Sequence, residues 1–249
     1  MVKTFLHSGD LGDIIYSLPT IRKLGGGILY LDITGGSKDE YCKQQTPDRL
    51  KFNINSFNFI KPLLTIQDYI IDCKSYNPDV EDIKFDYNLN KMRLLFKPEN
   101  YSRIKNPNLR DLQYISQNLS IEDYNEIWLD VETNMQSEKK IIVNRTPRYQ
   151  SNYVAMLGIT KKYEKLMMFV GLEKEHELFE WTFDTKIPYC KVNNALELAE
   201  VIRGSECFIG NPSFPLSIAF GLGHNKIIHE FDKNAPNTFF PNRVGVNYF

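Results

Sequence analysis

The sequence predicts an α/β protein of two Rossmann-like halves, each built on a doubly wound parallel sheet. Three observations carry this reading. Short apolar runs alternate with segments of helical spacing along most of the chain, the pattern of strands joined by crossover helices. Glycine-rich or Asn/Pro-containing turns separate these segments. A polar stretch, Glu132–Lys140, divides the pattern in two, and 249 residues suffice for two compact units with substantial cores.

Val2–Leu6 is an apolar first strand. The period changes at His7-Ser8-Gly9-Asp10-Leu11-Gly12-Asp13, after which Ile14, Ile15, Leu18, Ile21 and Leu24 recur at helical spacing until Gly25-Gly26-Gly27 stops the helix. Ile28–Ile33 completes a βαβ unit. Thr34–Arg49 is polar and turn-rich, Ser56–Leu64 reads as helical with Pro62 as a kink or a new turn, and Tyr69–Asp72 as a strand. From Ser75 to Asn108 the pattern weakens into loops around a short strand at Phe85–Tyr87. Leu109–Leu119 is an amphipathic helix, and Ile127–Val131 closes the half with a strand. In the second half, strands are expected at Ile141–Val143, Leu166–Val170, Ile187–Cys190, Cys207–Gly210 and Lys226–His229, with helices at Lys174–Phe183, Ala195–Ile202 and Pro215–Leu222. The pattern sets the domains at 1–133 and 140–235, with 236–249 an irregular aromatic tail.

Composition narrows the function. With 30 basic and 31 acidic residues there is no overall field to draw the protein to nucleic acid or an anionic membrane. Cys42, Cys73, Cys190 and Cys207 form no C-x-x-C pair, and the four histidines lack H-x-x-x-H or H-E-x-x-H spacing, so no metal site is expected. No apolar run reaches membrane-spanning length and no signal-peptide layout opens the chain, so a cytoplasmic protein is expected.

Ligands of open parallel sheets lie beyond the carboxyl ends of the strands, which directs attention to three loops. The first is the Gly9–Asp13 turn, where glycine permits close backbone approach and a helix start offers unpaired N–H groups; helix capping is the plainer reading of its aspartates. The second is Asn144-Arg145-Thr146-Pro147-Arg148-Tyr149, whose arginines suit a diphosphate, a solvated basic loop being the alternative. The third is Gly210-Asn211-Pro212-Ser213-Phe214-Pro215, opening a helix. Glu230, past the last clear strand, is placed to accept from a ribose or base, or else to be a surface carboxylate. Asp130-Val131-Glu132 mimics a D-x-D metal motif but falls at the linker, where a solvated strand end explains it. Neither G-x-G-x-x-G nor G-x-x-x-x-G-K-[ST] occurs, which argues against a nucleotide-dependent oxidoreductase or a P-loop enzyme.

Gly12-Asp13-Ile14-Ile15-Tyr16-Ser17-Leu18-Pro19 resembles the N-terminal G-D-hydrophobic-hydrophobic-x-[ST]-x-P motif of the heptosyltransferase-like family of GT-B glycosyltransferases, which is related to ADP-heptose:lipopolysaccharide heptosyltransferases. Cys207–Ala219 is similar to that family's strand, D-[ST]-G-x-x-H and alanine-rich helix, with departures: Pro212 stands for Asp, Phe214 for Gly and Ser217 for His. The resemblance implies a GT-B-like fold whose halves face a central cleft. It implies transfer of a sugar from a nucleotide-diphosphate sugar to an acceptor hydroxyl on a glycan, lipid or other molecule, inverting and metal-independent, with the nucleotide sugar as co-substrate and no separate cofactor. Asp13 would be the catalytic base, with Asp10 as fallback. Gly12, Asn144, Arg145, Thr146, Arg148, Asn211, Ser213 and Glu230 are then the donor-binding residues. The altered Asn211–Ser217 loop supports an alternative, a protein that binds a nucleotide or nucleotide sugar without transfer.

Overall fold

The computed structural model of the chain describes residues 1–34, 52–96, 108–121, 123–132, 140–233 and 236–249. It forms two compact units, Met1–Glu122 and Asp123–Phe249, each with its own all-parallel sheet.

In the first unit β1 (Thr4–His7) leads into α1 (Leu11–Lys23), followed by β2 (Gly27–Asp32), α2 (Ile54–Thr65), β3 (Ile70–Tyr76), β4 (Tyr87–Asn88), a 3-10 helix (Leu89–Phe96) and α3 (Leu109–Ser116). The sheet order is β3-β2-β1-β4. The apolar stripe Ile14, Ile15, Leu18 and Ile21 is fully buried, which is why this sequence is helical here. Glycine ends α1 for a steric reason: Gly26 takes a φ of +74°, and a Cβ on it would lie 2.5 Å from the Tyr69 carbonyl oxygen. Pro62 sits inside a continuous α2, where its ring removes one amide donor without ending the helix. The polar segment 35–51 lies outside the described residues.

The second unit runs β5 (Ile141–Asn144), α4 (Tyr153–Tyr163), β6 (Met167–Val170), α5 (Glu173–Phe183), β7 (Tyr189–Cys190), α6 (Ala195–Arg203), β8 (Cys207–Gly210), α7 (Phe214–Gly221), β9 (Ile227–His229) and β10 (Val246–Tyr248). Its sheet order is β10-β9-β8-β5-β6-β7. The central strands β5 and β8 are buried at every position, and Val143, Phe169, Phe179, Phe183 and Ile209 form the core between sheet and helices.

Three features differ from the sequence reading, and one falls largely outside the described residues. The segment Ile127–Val131 is no strand of the first half: the Trp128 and Leu129 amides both donate to the Gly221 carbonyl at 2.9 Å, which ties the segment to α7 and moves the division to residue 122. The expected crossing at Glu132–Lys140 falls largely on 133–139, outside the described residues. The helix α4 was not expected; it buries only Met156 and Thr160, a stripe too narrow to show as periodicity. The tail is not irregular throughout, because β10 pairs with β9 and Tyr248 exchanges hydrogen bonds with the Phe240 backbone (2.9 and 3.1 Å).

Candidate active site

The turn after β1 is built from its backbone outward. The Ser8 amide and hydroxyl both donate to Asn90 Oδ1 at 2.9 Å, and Arg93 Nη2 donates to the Ser8 carbonyl at 3.1 Å. Both holding residues come from the 3-10 helix, three positions apart and therefore on one edge of it. Gly9 is the residue this crowding requires: a Cβ there would stand 2.5 Å from His7 Cε1 and 3.0 Å from both Arg93 Nη2 and Asp13 Cβ. The Gly9 amide donates to His7 Nδ1 at 2.9 Å, so the neutral ring carries its proton on Nε2. Burial, reinforced by the Arg93 charge, pushes the His7 pKa down to about 3 and keeps the ring neutral.

Asp10 occupies the N-cap position of α1, yet its side chain makes no capping bond; its carbonyl accepts from the Ile14 amide at 3.1 Å. The capping explanation therefore fails for Asp10. Asp13, in the first helical turn, and Gly12 beside it are partly exposed. A carboxylate in that position can accept a proton from a bound hydroxyl.

In the second unit the loop after β5 is held by the residue that follows β9. Arg145 makes a bidentate pair with Glu230, Nε to Oε2 at 2.7 Å and Nη2 to Oε1 at 2.9 Å. Both side chains are almost completely buried, at 3% and 0% exposure. Glu230 Oε1 also accepts from the Ser151 and Asn152 amides at 3.0 Å, which fixes the approach to α4. Neither the solvated loop nor the surface carboxylate weighed from sequence describes these residues. Asn211 grips the same loop: its Oδ1 accepts from the Thr146 amide (2.9 Å), and its Nδ2 donates to the Thr146 and Arg148 carbonyls (3.0 and 2.5 Å). An aspartate could not make the last two bonds, so asparagine has a local reason to stand here.

This clamp leaves Arg148 outside. Its guanidinium is exposed and lies 5.4 Å from the ring centre of Tyr149, which is held at a φ of +57°, a conformation bulky residues rarely adopt. Asn144 is buried, donates to the Val170 carbonyl at 2.8 Å, and has an Oδ1 with no partner. Beside it, burial raises the Glu175 pKa, against the opposing pull of the Leu172 amide, Asn144 and Arg148. Ser213 caps α7 by accepting from the Leu216 amide at 3.3 Å. Asn144, Arg145, Thr146, Arg148, Asn211 and Glu230 thus meet at the carboxyl ends of β5, β8 and β9, with Ser213 just beyond β8. Asn90 and Arg93 were missed in the sequence, where no periodic signal marks them. Among the described residues no group of three His, Cys, Asp or Glu side chains could hold a metal ion, and Cys73, Cys190 and Cys207 are unbridged.

Solved structures share this fold over nearly the whole chain. A glycosyl transferase family 9 protein from Veillonella parvula aligns with 99% of this chain and 84% of its own at 12% identity, with a TM-score of 0.59. The Escherichia coli ADP-heptose lipopolysaccharide heptosyltransferase II aligns with 100% of this chain and 90% of its own, at 12% identity and a TM-score of 0.59. The chain has a GT-B glycosyltransferase fold. E. coli heptosyltransferase WaaC, solved with ADP-2-deoxy-2-fluoro heptose, covers 100% of this chain and 93% of its own at 9% identity and a TM-score of 0.56. No protein-family profile and no curated protein matches the sequence, so the likeness is one of GT-B fold. No helix among the described residues is long and apolar enough to cross a membrane.

Proposed function

We propose that this protein is a glycosyltransferase that moves a sugar from a nucleotide-diphosphate sugar to an acceptor hydroxyl, with inversion and without a metal. The observation that carries the reading is the placement of Asp13: a partly exposed carboxylate in the first turn of α1, directly beyond β1, within a chain-long GT-B fold. As the acceptor oxygen bonds to the anomeric carbon, its proton passes to Asp13, the bond from that carbon to the phosphate oxygen breaks, and the nucleoside diphosphate departs with the electron pair. Arg148 supplies positive charge for the departing phosphates. Arg145 acts one step back, holding the loop through Glu230. Cys73, Cys190 and Cys207, unbridged among the described residues, fit a reducing, cytoplasmic setting. The bound ligand named for WaaC makes ADP-sugars the first donors to try.

A thermal-shift series across nucleotide-diphosphate sugars tests donor binding, since a ligand of the folded state raises the melting temperature by mass action. A donor that stabilises the protein is then offered with an acceptor panel, and the anomeric configuration of any product is read by NMR. The commitment of the Asn211 amide to the loop after β5 favours one second reading, binding without transfer. Tight donor binding with neither transfer nor hydrolysis would select it.

A further inference from the structure

Tyr149 stands in a backbone conformation that its residue type disfavours. Among the described residues, positive φ values outside glycine occur at Asn118, Asp184 and Asn242, whose short polar side chains tolerate them, and at Tyr149, where φ is +57°. The loop imposes this conformation from both sides. The Arg148 carbonyl, just before Tyr149, accepts from Asn211 Nδ2 and from Thr146 Oγ1 at 3.2 Å, while the Ser151 amide beyond it donates to Glu230 Oε1 at 3.0 Å. Gln150 Nε2 ties back to the Thr146 carbonyl at 2.9 Å. Glycine or asparagine would follow the same path without strain, so the clamp explains the backbone and not the ring.

Packing does not explain the ring either. It is 40% exposed, and among the described residues it stacks on no other ring and its hydroxyl has no hydrogen-bond partner in the chain. What it meets is the Arg148 guanidinium, 5.4 Å from the ring centre. Arg148 makes no ion pair among the described residues, and the Glu175 carboxylate feels its charge from beyond ion-pair distance. Glu230 holds Arg145 by neutralising it. An aromatic face attracts a guanidinium and leaves its positive charge and its N–H donors open to an anion.

We propose that Tyr149 is a positioning residue of the donor site: its strained backbone presents the ring to Arg148, and the ring holds the guanidinium in place, un-neutralised, for the diphosphate. This rests on the reading of the loop after β5 as the donor side. Strained residues persist where their surroundings over-determine them, and ligand clamps are among the places where they collect.

Calorimetric titration with ADP, GDP, UDP and CDP finds a nucleoside diphosphate that the parent protein binds, and that probe is carried to the variants. Tyr149→Leu keeps the strain and removes the aromatic face; it should raise the dissociation constant by about two- to fivefold, the worth of one exposed cation–π contact. Tyr149→Phe should bind as the parent does. In an Arg148→Ala background Tyr149→Leu should change the affinity no further, because the ring acts through that guanidinium. Tyr149→Asn should lose the same affinity as Tyr149→Leu yet melt about 2–4 °C higher than it, because the strain is relieved. Affinity unmoved by Tyr149→Leu, a loss that persists in full without Arg148, as direct stacking on a nucleobase would give, or a Tyr149→Asn protein melting no higher than Tyr149→Leu overturns the proposal and leaves the donor loop standing. A parent protein that binds none of these nucleotides removes the donor loop itself, and the proposal with it.

Discussion

The turn after β1 and the loop after β5 occupy equivalent places, each following the first strand of a parallel sheet and leading into a helix, but they distribute charge in opposite ways. In the first, neutral Asn90 and cationic Arg93 hold the backbone while Asp13 stays partly exposed. In the second, the ionic groups Arg145 and Glu230 are turned inward as the fastening, and Arg148 alone of the two arginines faces out. A charged residue just past a strand is therefore two different things depending on what the sheet brings up behind it. Where the sheet buries the charge against its partner, the charge is architecture; where the group stays partly exposed, solvent and ligand can reach it.

The largest effect that could break this contrast is on rate. Asp13→Asn should lower transfer by about 10²–10⁴-fold, the usual contribution of a general base, with donor affinity and melting temperature close to the parent. Retained turnover with an identified donor and acceptor would make the first turn structural as well. Next in size, Glu230→Ala leaves Arg145 as an unpaired buried charge and should cost about 3–5 kcal/mol in urea unfolding. Replacing both partners, Arg145→Met with Glu230→Leu, should recover much of that loss. A Glu230→Ala protein of parental stability would show that the pair does not fasten the loop. Arg148→Ala should spare stability and weaken donor binding by about 1.5–3 kcal/mol, measured by calorimetry. If Arg145 variants alone lost donor affinity at unchanged stability, the inward and outward assignments would have to be exchanged.

The smallest effect per step tests what the two units have in common. β1 and β9 each end in a buried histidine, His7 and His229, whose pKa is pushed down to about 3 by burial, with Arg93 adding to the effect at His7. In the unfolded chain histidine titrates near 6.5, so between about pH 6.5 and 3 the unfolded state takes a proton that the folded state refuses. Stability from these two sites is complete above about pH 6.5 and falls as the pH drops, by up to about 1.4 kcal/mol per unit for each histidine. Urea midpoints between pH 7 and 5 should show this slope, and His229→Phe should remove one share of it. An unchanged slope in that variant would mean the ring is not held neutral.

The parts of the fold that local sequence decides were legible. The run Ile14 to Ile21, the glycines that stop it and the five strands from Ile141 to His229 are each specified by neighbours a few residues away. Asn90 and Arg93 were not, because a 3-10 helix of mixed polarity has no signature in a segment already rich in Asn, Asp and Lys. The orientation of Arg145 could not be read either, since its partner lies 85 residues downstream and only the pairing of β5, β8 and β9 brings it near. The Asp13 motif was legible by type and position, while the residues that hold the turn in place came from outside it.

The attachment of Trp128 and Leu129 to Gly221 decides where the chain can be cut. Arg243 donates to the Tyr124, Glu126 and Phe220 carbonyls at 2.9, 3.1 and 2.6 Å, so two of these three acceptors belong to the segment that precedes Lys140. A fragment starting at Lys140 would strand that guanidinium among Phe220 and Phe240 and uncover the back of α7, however complete its sheet. A fragment starting at Asp123 carries both acceptors and the Trp128 ring with it. Dissection at the more polar stretch would be the natural choice from sequence, and it would sever the strap that the second unit wears across its last helix.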